Sequence, residues 1–120
     1  MCSITVFFFK NEKGICPADE WLANMKNKDV DAKFEALIEL LEEHGHKLNR
    51  PHAAYLRDKI YELRANVKGS NYRLLYFFDK SKNGIITNGF IKKTRKVPDE
   101  EIDKAIKSMN EYLSDPENHK

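Results

Sequence analysis

IYELR at residues 60–64, YRLLYFF at 72–78 and IITNGFIKK at 85–93 decide the fold of this 120-residue chain. Each segment has the length of a β-strand and is rich in β-branched and aromatic residues. Turn-forming residues separate the segments, with KGSN at 68–71 and NG at 83–84. Because short turns of this kind join antiparallel neighbours, the sequence predicts an antiparallel meander whose apolar second segment is the central strand.

The residues before the meander predict one more strand and a pair of helices. Residues 3–9 are almost continuously apolar, which is typical of a strand buried against helices. Pro17 suits the start of a first helix. Between an Asn27 or Asp29 cap and a Gly45 stop, apolar residues at three- and four-residue spacing predict a second helix. The two helices are expected to form a hairpin that packs on the sheet.

The residues after the meander predict a third helix. Pro98 and the three acidic residues after it suit a helix start, and an apolar stripe continues to Tyr112. Residues 47–55 contain Pro51 and no periodicity, so we expect a loop there, and we expect 114–120 to be frayed. The prediction is therefore a single α+β domain, with an antiparallel sheet of about four strands, an N-terminal helical pair and a C-terminal helix.

The composition, 41% hydrophobic and 33% charged, is typical of a soluble globular protein. No apolar run has the length of a bilayer span, and the first nine residues lack the features of a signal peptide. Cys2 and Cys16 lack CxxC spacing, and the histidines do not combine with them at the spacing of a zinc site. We expect a cytoplasmic protein with reduced thiols, no metal, no small-molecule cofactor and no membrane contact.

The charge of the chain is strongly segregated. Residues 47–96 carry 13 Lys and Arg against 3 Asp and Glu, a net charge of +10, whereas the whole chain has a net charge of only +2. A basic central region between acidic segments is the pattern of a nucleic-acid surface. On charge alone, the solvated faces of an ordinary domain explain the same pattern equally well.

Four cations interrupt strands that otherwise have core composition, and the meander can bring them to one end of the sheet. Guanidinium groups bind phosphate through two hydrogen bonds and stabilise charge that develops on it. A lysine crowded by other cations can lose its proton near neutral pH and act as a base. We therefore predict a site for a phosphate-bearing partner, with four catalytic candidates: Arg64, Arg73, Lys92 and Lys93.

Each candidate also has a structural interpretation. Arg64 can simply form a cross-strand ion pair, and Glu62 is more readily its partner than a general base. Lys92 and Lys93 can be a solvated strand end. Aromatic residues of the strands can stack on bases, although most such residues form core. His52 lies in a basic segment and can carry protons, but a surface histidine is the simpler interpretation.

Short motifs in a fixed order resemble those of the RelE/HigB-type toxins of bacterial toxin–antitoxin modules, and most of all the phage-derived HigB-like branch. They are ELR at 62–64, YR at 72–73 and FIKKT at 90–94, followed by a final helix that starts near Pro98. The resemblance covers about the last half of the chain, and the preceding helical hairpin agrees with it in order. Val97 departs from the pattern, because many of these toxins have Thr before the Pro.

The resemblance implies a ribosome-dependent endoribonuclease that cuts mRNA in the decoding site, and a cognate antitoxin that neutralises it. It implies that Arg64, Arg73, Lys92 and Lys93 bind RNA and stabilise the transition state. No histidine lies in the predicted sheet or last helix, which leaves proton transfer to Lys92 or Lys93. We add four candidates for RNA binding: Tyr72, Arg57, Arg95 and Lys96.

Two other functions need the same cations. A ParE-like relative would block a topoisomerase by binding, and a non-catalytic module would bind nucleic acid without toxicity. Arg73→Ala is expected to abolish growth arrest and leave the fold intact, which would separate a catalytic arginine from a structural one.

Overall fold

The computed structural model describes residues 3–120, so the expectations on Met1 and Cys2 lie outside it. The predicted α+β class is confirmed. Within the described range every helix is too short or too polar to cross a bilayer. In chain order the elements are β1 (Val6–Phe8), α1 (Pro17–Met25), α2 (Lys28–His44), β2 (Ala53–Arg57), β3 (Ile60–Val67), β4 (Ser70–Phe78), β5 (Gly84–Lys92) and α3 (Asp99–Ser114), with 3-10 turns at Gly45–Lys47 and Pro116–Asn118.

The described strands form one sheet in the order β1-β5-β4-β3-β2. β3, β4 and β5 are the predicted antiparallel meander, and β4 is the central strand. β2 extends the meander antiparallel to β3 at one edge. β1 runs parallel to β5 at the other edge, so the sheet has five strands and is mixed rather than purely antiparallel.

The α1–α2 pair covers one face of the sheet, which we call the hairpin face. Asn27 caps α2 as predicted, since its Oδ1 accepts hydrogen bonds from the backbone N–H groups of Asp29 and Val30 at 3.1 and 3.2 Å. α2 ends at His44 and is capped by Gly45, whose φ is 56°. The core between the hairpin and the sheet is apolar and largely buried: Val30, Phe34, Leu37, Leu41, Leu63, Leu74 and Ile86.

α3 packs on the opposite face, which we call the α3 face. Its predicted apolar stripe is buried against the sheet together with Leu75, Phe77 and Ile85. Asn88 of β5 donates from Nδ2 to the carbonyl oxygen and to Oε1 of Glu101, at 3.3 and 3.1 Å. These bonds fix the N-terminal end of α3 on β5. The neighbouring part of the face, over β2 and β3, is not covered by the helix.

Two local predictions are wrong. Residues 53–55 belong to β2 rather than to a loop. Residues 114–120 are not frayed, because the turn Pro116–Asn118 places His119 in the core with its ring stacked on Phe9 at a centroid distance of 5.2 Å. The backbone N–H of Lys10 also donates to the carbonyl oxygen of His119 at 3.0 Å. The end of the described chain is therefore tied to the segment that follows β1.

Candidate nucleic-acid interface

The β3–β4 turn sets the register that brings the predicted cations together. Lys68 and Gly69 both have positive φ values, 50° and 83°, and form a two-residue turn between Val67 and Ser70. This turn places Arg64 directly opposite Arg73. A shift of one residue would move one of the two arginines to the other face of the sheet.

Arg73 is buried, although sequence analysis assigned it to a catalytic surface. The residue is only 3% exposed, and its Nε lies 3.2 Å from Oε1 of Glu62, which is also 3% exposed. The two atoms lack the alignment of a hydrogen bond, and Arg73 Nη1 donates instead to the carbonyl oxygen of Tyr72 at 3.0 Å. Arg73 thus forms an ion pair beneath the surface.

Arg64 lies above this pair and faces outward. Its Nη1 is 3.7 Å from Oε2 of Glu62, and its side chain is 26% exposed. Glu62 therefore bridges two arginines, one buried and one open to solvent. Burial lowers the pKa of Arg73 below its ordinary value, the charge of Glu62 opposes this shift, and the nearby charge of Arg64 adds to it.

An open groove of about 460 Å³ extends from Arg64 across the uncovered part of the α3 face. It lies between the β2 edge and the loop that joins β5 to α3, with Val97 and Ile102 on its apolar side. Its carboxylates are those of Glu62 and Asp99. Six cations line it: Arg50, Arg57, Arg64, Lys92, Arg95 and Lys96.

Neighbouring carboxylates partly neutralise some of these cations. Arg57 donates to Asp58, Asp103 and Asp99 at 2.7, 3.2 and 3.4 Å, and these bonds raise its pKa, with that to Asp58 having the largest effect. Lys96 lies 3.6 Å from Asp99. The ion pairs found within residues 3–120 do not include Arg50, Lys92 or Arg95. These three cations, together with Arg64, are the best placed to attract an anion.

The structure separates two predicted site residues from the groove. Lys93 follows the last paired residue of β5 and is exposed, but it does not line the groove. Tyr72 is 9% exposed and lies on the hairpin face, where its ring is 6.5 Å from that of Trp21. Arg57, Arg95 and Lys96, the other candidates for RNA binding, all line the groove.

The role of Arg50 in the groove and the burial of Glu62 were not predicted from the sequence. Arg50 was assigned to a loop, and the signal that identifies it is its place in a cationic segment directly before β2. Glu62 was recognised as a partner of Arg64, but its contact with Arg73 depends on the β3–β4 register. The two-residue turn at Lys68 and Gly69 is the signal that would have predicted that register.

His52 lies close to the groove through its backbone. The backbone N–H of Arg64 donates to the carbonyl oxygen of His52 at 2.9 Å, so His52 lies opposite Arg64 just before β2 begins. Its side chain does not line the groove. In residues 3–120, no three side chains of His, Cys, Asp or Glu form a cluster suited to a metal ion.

Comparison with known proteins identifies one family. The model of the family described as "Phage derived protein Gp49-like (DUF891)" matches residues 20–110, a range that contains most of α1, all of α2, β2 to β5 and most of α3. It includes every residue that lines the groove. No curated protein matches the chain.

Proposed function

The chain belongs to the Gp49-like family of phage-derived proteins, which is associated with toxin–antitoxin modules, and from this premise we propose that it is the toxin of such a module. The proposed activity is ribosome-dependent cleavage of mRNA. One observation carries the proposal: an open groove lined by six cations, with a buried Arg73–Glu62 pair beneath it. A groove of this kind suits a phosphate backbone.

The proposed reaction is the attack of a ribose 2′-hydroxyl on the adjacent phosphate. A bond forms between the 2′-oxygen and phosphorus while the bond from phosphorus to the 5′-oxygen breaks, which leaves a cyclic phosphate and a 5′-hydroxyl. Arg64 stabilises the charge on the phosphate oxygens, because its guanidinium is the exposed one of the two. The 2′-hydroxyl proton passes to solvent, and the ammonium group of Lys92 donates a proton to the 5′-oxygen and regains one from water.

In this proposal Arg73 is a positioning residue. It is too deeply buried to contact RNA, and it acts through Glu62, which contacts both arginines. The fixed carboxylate limits the orientations open to Arg64 before RNA binds. A side chain that is already ordered loses less conformational entropy on binding, so the complex is more stable. Lys93 is left outside the proposed catalytic set because it does not line the groove.

The proposed partner is a cognate antitoxin, which would neutralise the toxin in the cytoplasm. Its expected chemistry follows from the charge of the groove, because an acidic segment would form ion pairs with Arg50, Lys92 and Arg95. RNA and such a segment would then compete for the same cations.

The test is primer extension on transcripts from bacteria briefly induced for the protein, with reporter mRNAs that are or are not translated. Cuts are expected only on the translated reporter. Arg64→Ala and Lys92→Ala should each reduce cutting by on the order of a hundredfold. Lys107→Ala is the matched control, because Lys107 is exposed on α3 and does not line the groove.

The outcomes separate the three functions that share these cations. Growth arrest without any cut transcript would contradict the nuclease and favour a ParE-like inhibitor that binds a topoisomerase. Growth without arrest would favour a non-catalytic module. Full cutting by folded Arg64→Ala and Lys92→Ala variants would contradict the assigned groove, even if the wild type cuts mRNA.

A further inference from the structure

We propose that Tyr55, Tyr61 and Phe78 form a stacking site for one unpaired base of the RNA whose phosphates lie in the basic groove. The inference rests on the proposed function and adds a second subsite to it, on the other face of the sheet. Tyr55 had no predicted role, since residues 47–55 were expected to form a loop.

The exposure of Tyr55 is the first observation. Its relative exposure of 57% is the highest among the exposed large apolar residues of the described chain. Its ring meets that of Tyr61 edge to face, with centroids 5.0 Å apart and an interplanar angle of 69°. Phe78 meets Tyr61 at 5.2 Å and 75°. With Lys59, these three aromatic residues line an open depression of about 500 Å³.

Contacts with neighbouring residues hold two of the three rings in place, which favours binding. The Tyr61 ring stacks on the ring of buried Tyr76, with centroids 5.4 Å apart and an interplanar angle of 21°. The hydroxyl of Tyr55 accepts a hydrogen bond from the backbone N–H of Lys59 at 3.2 Å, which ties the ring to the β2–β3 turn. Rings held in place before binding lose little conformational entropy when a base stacks on them.

The position of Tyr55 connects the site to the groove. β2 is an edge strand, and Tyr55 contributes to the lining of both the basic groove on the α3 face and the aromatic depression on the hairpin face. A strand whose phosphates lie in the groove beside Arg64 can therefore pass over this edge and place its next base beside Tyr55. Single-stranded RNA is recognised in this way, by cations along its backbone and aromatic rings that stack on its bases.

The charge around the depression favours a nucleic acid as the occupant. Lys59 lines it and takes part in none of the ion pairs found within residues 3–120, Arg57 lies two residues beyond Tyr55 but is already paired with Asp58, and no carboxylate is part of the lining. An apolar peptide would gain nothing from these cations, whereas a nucleotide brings both a planar base and a phosphate.

The experiment measures the affinity of the purified protein for two strands of equal length and charge. One is a 2′-O-methyl RNA, which cannot be cut through its 2′-oxygen, and the other is an abasic strand with the same number of phosphates. The wild type is expected to bind the strand with bases more tightly. Tyr55→Ala should weaken that binding by roughly tenfold and leave the abasic strand unaffected.

Three further variants complete the experiment. Tyr55→Phe keeps the ring but loses the hydrogen bond from Lys59, so it is expected to bind the strand with bases more tightly than Tyr55→Ala and slightly less tightly than the wild type. Ile91→Ala is the control for loss of an exposed apolar side chain, because Ile91 is 42% exposed and lines neither depression. Arg64→Ala should weaken the binding of both strands, since it removes a phosphate contact.

The results distinguish failure of the stacking site from failure of the proposed function. Equal affinity of Tyr55→Ala and the wild type for the strand with bases would overturn the stacking site and leave the groove intact. Equal affinity of the wild type for the two strands would likewise overturn the stacking site and leave the groove intact. If the wild type binds neither strand, the stacking site is overturned, whereas the proposed function, which requires the ribosome, fails only if the translated reporter is not cut.

Discussion

The same strands contribute apolar core residues to one face of the sheet and charged residues to the other. On the hairpin face, β3 and β4 contribute Leu63, Ala65 and Leu74 to an apolar core that α1 and α2 cover. On the α3 face, the alternate residues of the same strands include Glu62, Arg64 and Arg73. α3 covers only part of that face, and the charges occur where its cover ends.

The difference shows that a charged site forms where charged strand residues lie on a part of the sheet that no helix covers. Side chains alternate between the faces of a strand, so one strand can supply core residues and site residues together. A buried charge is costly unless it is paired, and Arg73 and Glu62 are paired directly below the groove. The following predictions test how independent the two faces are.

The largest expected effect comes from breaking the buried ion pair. Arg73→Ala leaves the carboxylate of Glu62 buried without its closest partner, so we expect the free energy of unfolding to fall by about 3–5 kcal/mol. The double variant Arg73→Met, Glu62→Leu removes both charges and should regain most of that loss. Urea denaturation of both variants and of the wild type measures these differences.

This prediction replaces the expectation that Arg73→Ala would leave the fold intact. Loss of toxicity in that variant would report unfolding as readily as lost catalysis, because the residue is 3% exposed. A double variant that is stable but does not cut mRNA would show that the pair positions Arg64. If the single variant is as stable as the wild type, the pair has no structural role.

A smaller effect is expected from overfilling the hairpin face. Trp21 packs directly on Gly89 and leaves no room for a Cβ, so Gly89→Ala should lower the free energy of unfolding by about 1–3 kcal/mol. Gly84→Ala on the same strand is the matched control, since its Cβ would meet Leu41 and Val6 at 3.4 Å. Thermal denaturation compares the two, and similar melting temperatures would show that Trp21 moves aside.

The smallest effects distinguish two buried tyrosines, one on each face. The Tyr112 hydroxyl donates to Oδ2 of Asp79 at 2.8 Å, whereas the Tyr76 hydroxyl has no partner within the described residues. Tyr112→Phe should therefore cost about 1 kcal/mol, and Tyr76→Phe should be neutral or stabilising. Urea denaturation at neutral pH measures both, and equal losses would contradict the assignment.

The same two tyrosines predict a loss of stability in alkali. Burial is the main cause that raises the pKa of each phenol, and the hydrogen bond to Asp79 adds to the shift in Tyr112. The unfolded chain then releases these protons at a lower pH than the folded chain, so stability falls as the pH rises above about 10. Tyr112→Phe should make this fall shallower, and a repeat of the denaturation series at rising pH measures the slope.

The sequence predicted what depends on local pattern. The meander, the central position of β4, the helical hairpin and the Asn27 cap all follow from alternation, turn residues and capping chemistry. β2 was missed because AAYLR is short and follows Pro51. The parallel pairing of β1 with β5 was missed because it joins segments that are far apart in the chain, which no local pattern reports.

The residue types of the site could be predicted from the sequence, but the burial of each residue could not. The basic segment and the cations of β3 and β5 were visible as charge in apolar strands. The burial of Arg73 depends on Glu62 and on the register of two strands, so it appears only when both strands are paired. Tyr72 was proposed for RNA binding because it is aromatic, and its place under Trp21 depends on how α1 packs.

The groove is assembled from residues that are distant in the chain, from Arg50 to Ile102. During synthesis the arginines of β2 and β3 leave the ribosome long before the loop and the helix that complete the groove. A nascent chain that ends before Ile102 therefore lacks part of the groove, and β1 has no partner until β5 has emerged. Such long-range pairing delays folding. Premature termination before Ile102 would thus yield fragments without a complete groove, and only nearly full-length chains would carry the site.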